Sequence, residues 1–418
     1  MIKQDIIDRI ISDVSIEDVA KDEGISFTKE QAKKKWACCP FHKEKTASFY
    51  IDTATNCWRC FGQCRSGGNV ISLYRKLKGN NLPFPIACKE LAKKYLNEDI
   101  EDDYKPSKED EDKQKEIEAL RIVLTYAQSY FEECMSSVTP DSNKARDAVQ
   151  KRWGKDAIGA FGIGYAPRNG FIEWATKKQL DLDILEQVGL IGEGEHGKFA
   201  MLRDRYTIPI YDKMSRVIGF TARTLSDRAD ICKYLNLKNS PVYHKNTSVF
   251  GINFAQKEAR LKDKFYLVEG APDVIKLQSI GICNTVASLG GAWTENQLKQ
   301  LYKISHKVTF IPDADTLKAG NEFPAGTANV FANGRAALQA GFTVNVREIP
   351  VDYPAPKKED PDSWIVDVGH FQQMKEEEFI FWYCRRRYWP TFEDIDEFTT
   401  EDRLQAIADI CGLLMLIK

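Results

Sequence analysis

A cluster of thiol and imidazole side chains lies near the start of the chain: Cys39-Pro40-Phe41-His42, then Cys57, Cys60 and Cys64. Zn²⁺ takes four tetrahedral ligands of these types, commonly as two short pairs that each close a turn around the ion. Cys39 and His42 form the first pair. The second is drawn from Cys57, Cys60 and Cys64. Cys57 and Cys60 have the usual two-residue gap, whereas Cys60 and Cys64 are separated by Phe61-Gly62-Gln63 and followed by Ser66-Gly67-Gly68-Asn69, which suits a tight turn. Cys38 is expected to stand outside the set. A module this small buries too little core to fold on packing alone, so one structural zinc is expected to stabilise it. Lys33, Lys34, Lys35, Lys43 and Lys45 lie close to Trp36, Phe41, Phe49, Tyr50, Trp58 and Phe61. Lysines can follow a phosphate backbone while exposed rings stack on bases, so the surroundings suit single-stranded nucleic acid. Half of these rings are expected to fill the module's core instead.

A second set of residues is purely acidic: Glu269 and Asp273, Asp313 and Asp315, Asp360 and Asp362. Glu269, Asp313 and Asp360 each follow an apolar, strand-like run. The carboxyl ends of parallel strands are where ligands bind. The two-residue spacing turns Asp313 and Asp315 the same way along an extended segment, and Pro361 stiffens the second acidic pair. So much negative charge in one place is costly unless cations occupy it. Mg²⁺ or Mn²⁺, two or more ions, would suit these oxygen donors and would take their remaining ligands from phosphates. A zinc that builds structure and hard cations that handle phosphates together point to nucleic-acid chemistry.

These residues need elements to position them. Ile6, Ile7, Ile10 and Ile11 recur at helical spacing, and Ser15 precedes a second helix that Gly24 could end. A strand is expected in ASFYID, and helices near Val70–Leu77 and Ile86–Leu96. Residues 98–116 are almost wholly charged and read as a solvated linker. A helix is expected over Ile117–Met135, and strands at YTIPIYD and VIGFTART around the turn Lys213-Met214-Ser215. From about residue 264, strands and helices alternate through FYLVEG, APDVIKLQSIG, NTVASLG, TENQLKQLYKI, KVTFIPDAD, TANVFANGRAALQAG and TVNVREIP. Such alternation predicts a parallel sheet with helices against it. The domain boundaries expected are 1–97, 98–116 (linker), 117–260, 261–370 and 371–418.

The whole-chain numbers bound the problem. A length of 418 residues suggests two or three domains. No apolar run reaches the ~18 residues that span a bilayer, and the charged N-terminus lacks the core of an export signal. The other cysteines are scattered singly among the eleven, as in reduced thiols of a cytoplasmic protein. A net charge of −2 means that any nucleic-acid binding must come from local patches.

The chain resembles the DnaG-type primases of bacteria and phages. CPFH, FHKEKTASFYID and CWRCFGQCRSGGNVI resemble that family's zinc-binding domain, of the CHC2 type. FGIGYAP, DRYTIPIYDKMSRVIGFTART, KYLNLKNSPVYHK and FGINFAQ resemble the amino half of its RNA polymerase domain. VEGAPDVIKL, VASLGG, IPDAD and DPDSWI resemble its Toprim fold. The resemblance implies a multidomain α+β and α/β protein: a zinc ribbon with helices, a mixed α+β half-domain, a parallel Toprim sheet and a short helical tail. It implies synthesis of RNA primers on a single-stranded DNA template from ribonucleoside triphosphates. Glu269 would be the central acid, assisting cation binding or proton transfer. Asp313, Asp315 and Asp360, with Asp273 and Asp362, would hold the cations. Arg223, Lys233, Tyr234, Asn236 and Lys245 would form a shelf for nucleotide phosphates and template, and Arg152 would contact template.

The family usually has two residues between its last zinc cysteines, so either the loop after Cys60 bulges and Cys64 is the fourth ligand, or Cys57 takes its place. TLKAGNEFPAGTANVF is longer than the usual turn after the second aspartate, and is expected to be specialised. The segment from Glu376 resembles only the start of the family's helical tail, so a replicative helicase would be met through a module outside this chain. A metal-dependent nuclease and a non-catalytic strand-binding adaptor are the competing readings. KYLNLKNSPVYHK argues against the first and the acidic set against the second.

Overall fold

The computed structural model describes residues 2–417, apart from positions 32, 65, 79–81, 101–107, 196, 227, 229 and 389–399. It divides into two compact units, Met1–Lys151 with Lys155–Tyr243, and Arg152–Gly154 with His244–Lys418.

The first unit opens with the helix Gln4–Asp13, which buries Ile7, Ile10 and Ile11. Ser15 caps the next helix, Ile16–Asp22, by accepting the Asp18 amide. Gly24 follows at φ +83°, the left-handed conformation that ends a helix most readily at glycine. Strands β1 (Lys29–Gln31), β2 (Lys34–Ala37), β3 (Phe49–Asp52), β4 (Cys57–Cys60) and β5 (Gly67–Asn69) form an antiparallel sheet in sequence order. Asn69 caps the helix Val70–Leu77, and Phe84–Leu91 follows. Their apolar faces share one core with Phe49, Ile51 and Trp58.

The helix expected from Ile117 starts earlier, at Lys108, and runs to Ser136. Positions 108–116 were read as linker because they carry no apolar stripe. Lys, Glu and Gln are nonetheless good helix formers, and a helix anchored downstream propagates into them at one hydrogen bond per residue. Residues 101–107 of that segment lie outside the described residues. The same unit contains β6 (Gly164–Ala166), β7 (Ile191–Gly194), β8 (Gly197–Ala200), β9 (Arg205–Tyr211), β10 (Val217–Thr224) and β11 (Tyr234–Asn236). β11, β10, β9 and β6 pair antiparallel in that order, and β7 pairs with β8. The long helix packs Leu124 and Phe131 into a core with Phe220 and Ala222.

The second unit is an α/β sheet of β12 (Phe265–Val268), β13 (Thr285–Ala287), β14 (Lys307–Phe310), β15 (Thr343–Arg347) and β16 (Glu376–Glu378). The order is β13-β12-β14-β15-β16, parallel except for β16. Helices Ala271–Ser279, Glu295–Tyr302 and Ala325–Gln339 make the connections. The segment from Glu376, expected to be a helical tail, forms the helices Phe379–Tyr388 and Thr400–Leu414 after this antiparallel edge strand. Its triple-Glu sequence has no strand signature. It holds because Glu376 accepts hydrogen bonds from Lys264, Thr309, Asn345 and Arg347 on neighbouring strands and their ends. Among the described residues no helix is long and apolar enough to cross a membrane.

Candidate metal sites

Strand geometry decides which sulfurs meet. Residues three apart on an extended strand face opposite ways. Cys57 and Cys60 end β4, so Cys57 turns from the cluster and its Sγ meets Ser215 Oγ at 2.9 Å and Thr55 O at 3.3 Å. The three-residue gap after Cys60 brings Cys64 back, with its Sγ 3.5 Å from Cys39 Sγ. Ligand atoms of Cys39, His42, Cys60 and Cys64 all lie within 4.8 Å of one another. Tetrahedral zinc with ~2.3 Å bonds to sulfur separates its sulfurs by ~3.8 Å, close to the spacing found. Cys38 is exposed and outside the set. Gly62 lets the turn pass over His42, since a Cβ there would lie 2.5 Å from Nε2.

The donor set fits a metal on two further grounds. His42 Nδ1 is buried without a hydrogen-bond partner, while Nε2 lies 2.8 Å from Glu44 Oε2. A ligating histidine commonly has its second nitrogen held by a carboxylate in this way. Burial holds the Cys39 and Cys60 thiols above their usual range. Burial would also raise Cys64, but bonds with Ser66, Cys60, Cys39 and His42 draw it down to about 7. Glu44 also accepts the Cys39 amide at 2.6 Å and the Ser48 amide at 3.1 Å. Burial opposes its ionisation, yet these bonds outweigh it and bring the carboxyl down to about 2. Sequence reasoning passed over Glu44. The available signal was an acid two residues after the ligand histidine, in a loop otherwise rich in lysine.

The rings divide as expected in kind. Phe49, Tyr50 and Trp58 are buried. Phe61 is 45% exposed and stacks on Tyr50 at 5.7 Å and on Trp36 at 6.4 Å. Arg59 lies 5.3 Å over Phe61, and Lys34 lies 5.0 Å over Tyr50.

In the second unit, Glu269 directly follows β12, and Asp313 and Asp315 lie just beyond β14, at the same end of parallel strands. A short bridge ties the two later acidic loops together: Ala314 N donates to Glu359 O at 2.8 Å, and Glu359 N to Ala314 O at 2.9 Å. Asp360 then caps the helix Pro361–Trp364 by accepting the Ser363 amide. Asp315 Oδ2 accepts Gly326 N at 2.9 Å, at the start of the helix Ala325–Gln339. From the same helix Asn329 donates to Glu269 Oε1 at 3.3 Å. Lys358 Nζ lies 2.7 Å from both Asp313 Oδ2 and Asp315 Oδ1. Asp313 Oδ1 is buried and has no hydrogen-bond partner.

These acids share one electrostatic neighbourhood. Burial pushes Asp313 up to about 7, with Glu269 and Asp360 adding to it and Lys358 opposing. Burial also raises Glu269, against the contacts with Asn329 and Lys358. It raises Asp273 well above the usual range, and Asp313, Asp360 and Asp362 add to it. The acids are not drawn as tightly together as the sulfurs. Among the described residues, the Cys/His set is the one group of three or more such ligands lying within 4.8 Å. The oxygen donor set, the partnerless Oδ1 and the raised carboxyls all fit hard divalent cations.

Three of the expected site residues also have partners within the fold. Asp273 uses Oδ2 to accept the Gly270 amide and Oδ1 to accept the Asp362 amide, each at 3.1 Å. Asp362 accepts Arg152 Nε and Trp153 Nε1. Both acids are buried, and these bonds brace loops and helix starts. Arg152 was expected on the template. Its side chain is 18% exposed and hydrogen-bonded to Asp362, and its carbonyl accepts Lys276 Nζ at 2.9 Å. Sequence spacing could not show the Asp273–Asp362 and Arg152–Asp362 pairings, whose partners are 89 and 210 positions apart.

The expected phosphate shelf is divided between the units: Arg223, Lys233, Tyr234 and Asn236 lie in the first, Lys245 in the second. Arg223 and Tyr234 are register partners on β10 and β11, with the guanidinium 5.8 Å from the ring. Asn236 pairs opposite Thr221 and is exposed.

Three family models match successive stretches of the chain: the CHC2 zinc finger over residues 2–108, the N-terminal domain of the DNA primase catalytic core over 130–256, and a Toprim-like domain over 266–365. A DNA primase of Pseudomonas putida is 33% identical over 384 residues, 88% of this chain and 54% of the relative. A DNA primase of Clostridium acetobutylicum is 30% identical over 421 residues, 99% of this chain and 65% of the relative. The chain thus spans about half the length of the first curated relative and under two thirds of the second. The crystal structure of the zinc-binding and RNA polymerase domains of Aquifex aeolicus primase matches with a TM-score of 0.62 at 25% identity. It covers 100% of this chain and 93% of that one. A DNA primase domain from Pseudomonas aeruginosa matches with a TM-score of 0.59 at 26% identity, covering 71% and 90% of the two chains. With its zinc finger, catalytic-core and Toprim-like segments in this order, the chain belongs to the DnaG-type DNA primases.

Proposed function

We propose that this chain is a DNA-dependent RNA polymerase that builds short RNA primers on single-stranded DNA from ribonucleoside triphosphates. The observation that carries the reading is the buried, partnerless Oδ1 of Asp313, held with Glu269 and Asp315 just beyond the ends of parallel strands and with Asp360 at the start of the helix Pro361–Trp364. The DNA primases that resemble it along most of its length support the same reading.

In this reading Cys39, His42, Cys60 and Cys64 hold one structural zinc. Phe61 and Trp36, with Lys34 beside the ring stack, offer template bases a surface. Two or more Mg²⁺ or Mn²⁺ ions would be held by Glu269, Asp313, Asp315 and Asp360, and when bound would stabilise the attacking 3′-hydroxyl and the leaving pyrophosphate. Asn329 orients Glu269, and the Gly326 amide holds one oxygen of Asp315 so that its other oxygen stays aimed at the cluster. Arg223 and Lys233 in the first unit attract phosphates, with Tyr234 and Asn236 on the neighbouring strand, and Lys245 does so in the second. The protein's contribution is positioning and charge stabilisation, which suits phosphoryl chemistry.

The test supplies single-stranded DNA, labelled ribonucleotides and Mg²⁺ or Mn²⁺. The wild type is expected to make short oligoribonucleotides, and Asp313→Ala to lose at least about a hundredfold in rate. Equal synthesis by both proteins, or cleavage of the DNA without added nucleotides in place of synthesis, overturns the reading.

A further inference from the structure

Lys358 is not part of the acidic set, yet its one ammonium contacts two of the set's carboxylates at once. The bridge between Ala314 and Glu359 fixes the backbone next to Lys358. Its Nζ thereby reaches Asp313 Oδ2 and Asp315 Oδ1, each at 2.7 Å. The Lys358 side chain is 55% exposed, against 9% for Asp313 and 13% for Asp315. The stem therefore comes in from solvent, and only the ammonium head enters the buried pair. Lysine suits such a post because its flexible stem lets a compact charge leave and return, which a bidentate arginine would resist.

A divalent ion on these carboxylates must take the same oxygens. Two cations cannot share them at hydrogen-bond distance without strong repulsion. An ammonium spanning both acids neutralises one charge and keeps the two side chains side by side. A hard divalent ion neutralises both and binds each more tightly.

We propose that Lys358 is a tethered counter-cation, a positioning residue that holds Asp313 and Asp315 in register until a divalent ion displaces its ammonium. The exchange rests on the cation-binding reading of the acidic set given above. It makes the chain's own side chain a competitor for its ions, so cation affinity is set partly by how readily Lys358 swings out.

The probe is Mn²⁺ alone, without nucleotide, titrated into the intact chain and followed by the electron paramagnetic resonance of free ion. Lys358→Met is expected to bind Mn²⁺ about tenfold more tightly than the wild type, since a like charge is removed at contact distance. Asp313→Asn is expected to lose the site. If Asp313→Asn loses binding but Lys358→Met binds no more tightly than the wild type, the cation site stands and the exchange is overturned. If the wild type and Asp313→Asn bind alike, the site and the exchange fall together. A second measurement needs no variant: reductive methylation of Lys358, read by peptide mass spectrometry, is expected to speed up when Mn²⁺ is added. Unchanged or slower methylation overturns the exchange.

Discussion

At the scale of single residues, the two sites differ in how closely donor chemistry dictates geometry. The soft donors come together within bonding range because one hairpin and one loop carry them all. Cys60 and Cys64 sit on a bulged turn, and Cys57 is excluded by strand alternation. The consequence is directly measurable. Cys64→Ser is expected to lose most of its bound zinc by elemental analysis, whereas Cys57→Ser keeps one equivalent per chain. Cys57→Ser should cost only ~1 kcal/mol, through its buried contact with Ser215. Zinc retained in Cys64→Ser and lost in Cys57→Ser would reverse the assignment. Glu44 belongs to the same argument: it orients His42 and ties down the amide of Cys39, so it supports two donors at once without binding the ion.

At the scale of elements, the acidic set depends on how the helix Ala325–Gln339 starts. Its second residue, Gly326, passes so close to the loop after β14 that a Cβ would lie 2.3 Å from the Asp313 carbonyl oxygen. That neighbour is backbone and cannot rotate aside. Gly326→Ala is therefore expected to push Asp313 out of place, costing about 1–3 kcal/mol in a thermal melt and lowering primer synthesis at least about tenfold. Gly159→Ala, where a Cβ meets nothing within 4 Å, is the neutral control. A Gly326→Ala protein with wild-type stability and rate would remove this helix start from the site's support. Elements of this kind are legible in sequence only where a local signal marks them. Ser15 and Gly24 announced their helix ends by cap chemistry, and the apolar runs after residue 264 announced parallel strands. The Lys108 helix start and the β16 edge carry no periodic apolar pattern: propagation from the anchored helix sets the first, and the partners of Glu376 set the second. In the site, Glu269, Asp313, Asp315 and Asp360 were legible as acids after strands. The Asp273–Asp362 and Arg152–Asp362 pairings, and the roles of Asn329 and Lys358, arise from long-range contacts that spacing cannot encode.

At the scale of the whole molecule, three hydrophobic cores among the described residues each draw on one unit only, so the two units have separate sources of stability. In the first, zinc adds free energy to a small module. In the second, burial of carboxylates subtracts it. The sign for Asp313 follows from its folded value of about 7 against an ordinary 3.8. Between those values the folded state keeps a proton that the unfolded chain has lost. Stability is thus fully present below about pH 4 and falls as pH rises to about 7, by at most ~4 kcal/mol. Glu269, Asp273 and Asp362 are raised too and act in the same direction. Glu348 and Glu376 are lowered, so they lose stability only as pH falls below about 4.5, outside this window. Calorimetry without divalent cations is therefore expected to resolve two transitions. A strong zinc chelator should lower one of them by about 10 °C or more and leave the other in place. Raising the pH from 5 to 7.5 should lower the second, and Asp313→Asn should flatten that dependence. A single transition that answers to both treatments would show that the units do not unfold separately. A pH response untouched by Asp313→Asn would mean that Asp313 is not among the carboxyls held protonated by the fold.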